Sequence, residues 1–212
     1  MPRSLNVGFS YANGEYLTWT SDDNRYHDNA IEVMLDVLEK NHGIGMVYAD
    51  YYLIDSHGNF VKENTLLSSR NLIFSNCIGA CFMYRKCVAD YVGEYDAALF
   101  LAEDYDYWVR ISINFEIYHL ETFLYDYRIH DGSLSHQKRD LIQIQTSRVL
   151  LMNFFYLYVR CGDLSKRFRF LDTIVGLRMN DNEILAEVSK VNFAYSFYHK
   201  LKCFLRWLKK ML

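Results

Sequence analysis

The sequence predicts an α/β body followed by a helical tail. Three observations carry this reading. Short runs rich in β-branched and aromatic residues alternate with amphipathic stretches up to about residue 137. From Lys138 the strand-like runs stop and helical spacing takes over. The 212 residues are 51% hydrophobic and 23% charged, a globular balance that excludes a disordered chain. A chain of this length is one domain, or one domain with an appendage. The division falls between a body, residues 1–137, and a helical region, residues 138–212.

Residues 3–13 read as a short helix with Leu5 and Phe9 on one face, stopped by Gly14. Tyr16–Thr20 is aromatic and β-branched, a buried strand that runs into the polar loop Ser21–Asn24. Asp28 is placed to cap a helix from Asn29 to about Asn41, with Ile31, Met34, Leu35 and Leu38 at core spacing and Gly43 as its stop. Met46–Ile54 reads as a strand, and residues 56–59 as a hairpin turn into Phe60 and Val61. Residues 77–84 read as another strand, followed by a short helix at 86–91 that ends at Gly93. Residues 103–113 read as a helix with Tyr107, Trp108 and Ile111 inward. Phe115–Leu120 and Thr122–Ile129 read as two strands, and 131–137 as a polar loop. Helices are expected over roughly 139–160, 163–178 and 182–212.

Composition narrows the function classes. Aromatics at 17% suit strands with a dense core, or a site that stacks flat ligands. Five cysteines without a CxxC pair read as reduced thiols of a cytosolic protein, and no Cys/His cluster has zinc-ligand spacing. Residues 1–20 lack the apolar stretch of a signal peptide, and no run of ~18 apolar residues exists to span a membrane. After Glu187 there are six basic residues and no acidic one, which leaves 17 of the 23 basic residues for the rest of the chain against all 26 acidic ones. An acidic body with a basic tail argues against a nucleic-acid binder.

Three polar constellations stand out. Asp22 and Asp23 follow a strand, where paired carboxylates hold Mg²⁺ or Mn²⁺ together with phosphate oxygens; they equally suit a turn that caps the next helix. Glu103, Asp104 and Asp106 open a helix, where they either favour its positive end or supply a general base. Arg128 and His130 alternate onto one face of the last strand, as a diphosphate site or a solvated strand end.

In order along the chain, PRSLNVGFSYANGEYLTWTSDDN, GACFMYRKCVADYVGEYD, LAEDYDYWVRI and YRIHDGSLS resemble the motifs of a family 2 glycosyltransferase of the GT-A fold. The resemblance covers residues 2–137 and implies a GT-A-like mixed sheet flanked by helices. It implies transfer of a sugar from a nucleotide-diphosphate sugar to the hydroxyl of a sugar or lipid-linked acceptor, with inversion, in cell-surface polysaccharide or glycolipid synthesis. By that resemblance Asp23 binds the divalent cation (Mn or Mg) and Asp22 assists with metal or nucleotide. Asp104 is the base with Glu103 beside it, and His130 is a candidate for diphosphate contact.

Two departures matter. Thr20 stands where many members carry an aspartate. The family also has first strands, which bind the nucleotide, ahead of the segment that matches Pro2. A chain that starts within the domain is expected to present Tyr16–Thr20 as an open edge, which would pair with a second copy or a partner chain. The alternatives are a non-catalytic remnant of such an enzyme, a fragment that needs a separate donor-binding half, or a metal phosphohydrolase on the same carboxylates.

On a helical wheel Phe197, Leu201, Phe204, Leu205, Leu208, Met211 and Leu212 share one arc, with Lys202, Arg206, Lys209 and Lys210 opposite. Residues 197–212 therefore suit either an anionic membrane surface or packing on the body. The expected location is the cytoplasm, peripheral on the inner face of the cell membrane.

Overall fold

The computed structural model describes residues 1–163, 165–167, 169, 170 and 173. The amphipathic arc at 197–212 and the helices expected from 174 onward lie outside the described residues. One mixed six-stranded sheet organises the chain. Its strands are β1 (Tyr16–Leu17), β2 (Arg25–Tyr26), β3 (Ile44–Ile54), β4 (Phe60–Asn64), β5 (Phe82–Arg85) and β6 (Glu116–Arg128). The order is β1-β5-β3-β6-β2, with β4 folded back onto the far half of β3. Among the described strands only β3 and β6 run parallel. The architecture is the mixed α/β sheet read from the sequence.

Helices cover both faces. Helix α1 (Pro2–Ser10) leans Leu5 and Phe9 on the core, as their spacing predicts. Helix α2 (Ala30–Lys40) seals one face with Ala30, Met34 and Leu38 against Val47, Cys81 and Leu124. Its N-cap is Asn29, with no side-chain capping bond, so Asp28 is not the cap. Met34 and Leu38 are buried as expected, but Ala30 rather than Ile31 starts the buried stripe, and Ile31 is exposed. Helix α3 (Lys86–Val92) ends at Gly93, whose φ of +83° favours a residue without a β-carbon.

The opposite face holds α4 (Glu103–Asn114), which buries Tyr107, Trp108 and Ile111 as predicted. An aromatic cluster forms here. Trp108 meets Phe82 edge to face at 4.6 Å between ring centres, and Tyr95 stacks on Tyr107 at 4.0 Å. Much of the aromatic excess is therefore core. Cys77 and Cys81 are buried and free, and burial pushes both thiols up to about 12, so they stay protonated and inert.

Several expected elements change on folding. The strand read at Tyr16–Thr20 keeps only two residues in the sheet. Thr18 leaves the ladder and donates its hydroxyl to the Phe82 carbonyl (2.6 Å), which turns the chain toward the polar loop. β1 is an edge strand, as expected, but a very short one. The strand read at 77–84 is confined to Phe82–Arg85. The two strands read around Glu121 are one 13-residue strand. Ala49 faces Leu120 while Asp50 faces Phe123, so Glu121 and Thr122 bulge out of the ladder. Within 131–137, read as loop, Leu134–Gln137 forms the short helix α5. Helical residues 139–160 divide at Asn153 into α6 (Arg139–Met152) and α7 (Phe154–Arg160).

Candidate active site

A cleft of about 500 Å³ opens where the loop after β1, the start of α4 and the segment after β6 meet. Asp22, Asp23, Asn24, Glu103, Asp104 and His130 line it. Five of the seven residues in the constellations singled out from the sequence thus meet in one cleft, although they lie up to 108 positions apart; Asp106 and Arg128 are not among its lining. Among the described residues that line it there is no Lys or Arg.

The Arg128 guanidinium is used in holding the loop. Its Nε donates to the Asp23 carbonyl (2.9 Å) and its Nη1 to the carbonyl of Asp55 (2.9 Å). Its backbone N–H donates to Asn24 Oδ1 (2.7 Å). These bonds pin the Asp23 loop to the end of β6 and to the β3–β4 turn. β6 ends at Arg128, yet Arg128 and His130 both reach Asp23, the first its carbonyl and the second its carboxylate. His130 Nε2 lies 3.0 Å from Asp23 Oδ2. An ionised carboxylate only accepts, so the imidazole donates this bond. Asp22 is exposed at the mouth.

At the start of α4 three neighbouring carboxylates take different positions. Asp106 faces inward and pairs with Arg110 (2.8 Å). Glu103 is 6% exposed and accepts the Leu101 N–H (2.6 Å). Asp104 is half-buried; it accepts Asn76 Nδ2 (3.0 Å) and the Tyr105 N–H (2.7 Å). Burial, aided by the nearby Glu103 charge, pushes the Asp104 carboxyl up to about 6, against the pull of those hydrogen bonds. A carboxylate with that property in a cleft is placed for proton transfer near neutral pH.

Sequence reasoning missed the aromatic wall of the cleft, which includes Trp19, Tyr51 and Tyr127. Gly79 lets this wall form. A β-carbon there would sit 2.3 Å from Tyr51 Cε1 and 3.2 Å from Leu66 Cδ1. Gly79→Ala is therefore expected to push the Tyr51 ring into the cleft and to cost about 2 kcal/mol, as overpacking does. Thermal unfolding would read this as a fall of several degrees, and an unchanged midpoint would refute the tight contact.

The donor set suits a hard divalent cation. Mg²⁺ and Mn²⁺ take one or two carboxylates and complete their shell with water and phosphate oxygens, and Asp22 and Asp23 offer such a pair. Among the described residues no group of three His, Cys, Asp or Glu gathers as a fuller cage. A two-metal phosphohydrolase would need more ligands than that.

The curled mixed sheet with flanking helices is the fold of GT-A glycosyltransferases. S. aureus TarS shares it over 93% of this chain and 40% of its own, with a TM-score of 0.50 and 13% identity. Residues 2–93 match the model of glycosyl transferase family 2, and the chain resembles that family as its motifs indicate. An uncharacterized glycosyltransferase of Rickettsia conorii is 31% identical over 138 residues, covering 60% of this chain and 23% of its own length. One of Rickettsia typhi is 30% identical over 141 residues, covering 61% and 44%. One of Methanocaldococcus jannaschii is 27% identical over 148 residues, covering 64% and 50%. The chain spans half or less of the length of each of these relatives.

Proposed function

We propose that this chain carries the metal loop and the acceptor half of a glycosyltransferase that moves a sugar from a nucleotide-diphosphate sugar to an acceptor hydroxyl, with inversion. The observation that supports this best is the charge of the cleft. Asp22, Asp23, Glu103 and Asp104 line it, with no Lys or Arg among the described lining residues. A diphosphate cannot approach such a surface unless a cation stands between them. A divalent ion on Asp23 and Asp22 would neutralise the leaving diphosphate. His130 both orients Asp23 and offers an imidazole at the diphosphate side. Asp104 accepts the proton of the acceptor hydroxyl, and Asn76 aims its carboxylate. Trp19, Tyr51 and Tyr127 offer ring faces to a sugar.

Residues 1–137 form the catalytic body in this reading, and residues 138–212 a helical accessory region. The acceptor is a sugar or a lipid-linked sugar of the cell surface. The site faces the cytoplasm, with residues 197–212 resting on anionic lipid. Among the described residues no helix is long and apolar enough to cross a membrane. The short edge strand β1 is where a partner segment or a second copy would pair.

Calorimetric titration of the purified chain with uridine diphosphate, with and without Mn²⁺, tests the reading. Binding that requires Mn²⁺ is the expected result. Equal binding without metal would overturn the metal-bridged site. No binding by folded protein would mean that donor recognition needs a further polypeptide.

A further inference from the structure

We propose that Glu103 is a positioning residue: its carboxylate holds Leu101 in a left-handed turn, and that turn fixes where Asp104 enters the cleft. The consequence for catalysis rests on the reading of Asp104 as the base; the positioning itself does not.

Leu101 has φ = +79°, and it is the sole residue other than glycine with a positive φ among the described residues. That region crowds the β-carbon of any L-residue, and a branched side chain gains nothing there to offset it. Such a conformation persists only where its surroundings impose it, and it lies here on the wall of the cleft. Glu103 supplies the constraint. Its Oε2 accepts the Leu101 N–H at 2.6 Å, a short charge-assisted bond. Glu103 is 6% exposed and belongs to none of the described ion pairs. A carboxylate buried without a cation is costly, so the bond to Leu101 is its evident use.

The turn sits where α4 begins. Leu99–Ala102 is a type II turn, with Phe100 at φ −48°, ψ 131° and Leu101 at the position that needs a positive φ; Ala102 closes it by donating its N–H to the Leu99 carbonyl (2.9 Å), and its own carbonyl receives the Asp106 N–H (3.0 Å). Leu101 is thus the residue at which the chain changes direction into the helix. Asp104 follows within one turn, and both of its oxygens are already held, by Tyr105 and by Asn76. Its carboxylate can reach Asn76 only if the helix starts at this point and angle. Adjacent acids therefore have separate duties: Asp104 meets the acceptor, and Glu103 meets the backbone.

The test uses the full chain with four variants: Glu103→Gln, Glu103→Ala, Leu101→Gly, and Glu103→Ala combined with Leu101→Gly. Thermal unfolding supplies a double-mutant cycle. Nuclear magnetic resonance of the Asn76 side-chain amide, followed as Asp104 titrates, reports the position of Asp104. Glu103→Gln keeps an oxygen for the Leu101 N–H, so it should retain the pH-dependent Asn76 signal. Glu103→Ala should lose that signal. Its fall in unfolding midpoint should be at least halved in the Leu101→Gly background, because glycine needs no clamp. Equal falls in both backgrounds, or an Asn76 signal unchanged in Glu103→Ala, would overturn the proposal. Neither readout uses a donor or an acceptor. A coupled cycle in a protein without transferase activity would leave the clamp standing and count against the glycosyl transfer reading alone.

Discussion

Asp104→Asn is expected to lower the rate of glycosyl transfer by roughly 10²–10⁴-fold, the usual contribution of a positioned general base, while leaving the protein at least as stable. The amide is nearly isosteric, and its oxygen still accepts the Tyr105 N–H. Asn76 matches it by an amide flip, which gives up the long bond its Oδ1 accepts from the Ile78 N–H (3.3 Å). Stability has a sign that can be worked out. Folding raises this carboxyl from 3.8 to about 6, so the folded state binds the proton more tightly than the unfolded chain. The wild type should therefore lose stability as pH rises from about 4 to about 6, and the asparagine variant should lack that part of the slope. Catalysis runs the other way, because the base must be ionised: the wild-type rate should climb through pH of about 6. Thermal unfolding and initial rates, each measured from pH 4 to 8, check both halves. A flat rate profile, or an asparagine variant near wild-type activity, would remove Asp104 from the mechanism.

Asp23→Ala is expected to weaken Mn²⁺-dependent binding of uridine diphosphate by roughly 10²–10³-fold. Two unit charges at about 4 Å in a partly solvated site interact by about 4 kcal/mol, which corresponds to that loss. The same change frees His130, whose Nε2 is held by the Asp23 carboxylate at 3.0 Å. Asp23→Asn separates the two effects, since it keeps a hydrogen-bond acceptor and removes the charge. If charge dominates, calorimetry should find the asparagine variant almost as weak as the alanine one. Fully retained affinity in both variants would place the cation elsewhere.

The sequence carried the acidic half of the cleft more clearly than its walls. Asp22–Asp23 and Glu103–Asp104 were legible because a strand-to-loop step and a helix start can be read from local pattern, and both pairs reach the cleft. Arg128 was legible as a residue but not in its use. Its role depends on where β6 stops and on carbonyls more than 70 positions away. Tyr51 and Tyr127 lie in strands that each carry several tyrosines, so nothing local marks the two that reach the cleft. Leu101 had no signal at all, because leucine is among the residues least suited to a positive φ. Glu121 misled for the opposite reason. A charged residue within an aromatic run looks like a break between strands, whereas here it belongs to a pair squeezed out of the ladder of one strand.

That squeezed pair has a consequence for shape. Between the matched ends Ile44–Glu116 and Ile54–Arg128, β3 advances 10 residues while β6 advances 12. Neighbouring strands behave like lanes on a running track: the one with more steps between the same two markers takes the longer path. The surplus corresponds to about 7 Å at the usual rise per residue; it is the net of three register shifts, of which the Glu121–Thr122 bulge is the largest, and is absorbed as bend and added twist. The finish of the longer lane is where Arg128 grips the Asp23 carbonyl and His130 meets the Asp23 carboxylate. Two residues in the middle of a strand, far from any chemistry, thus help set how far the sheet swings its last strand toward the cation-binding loop.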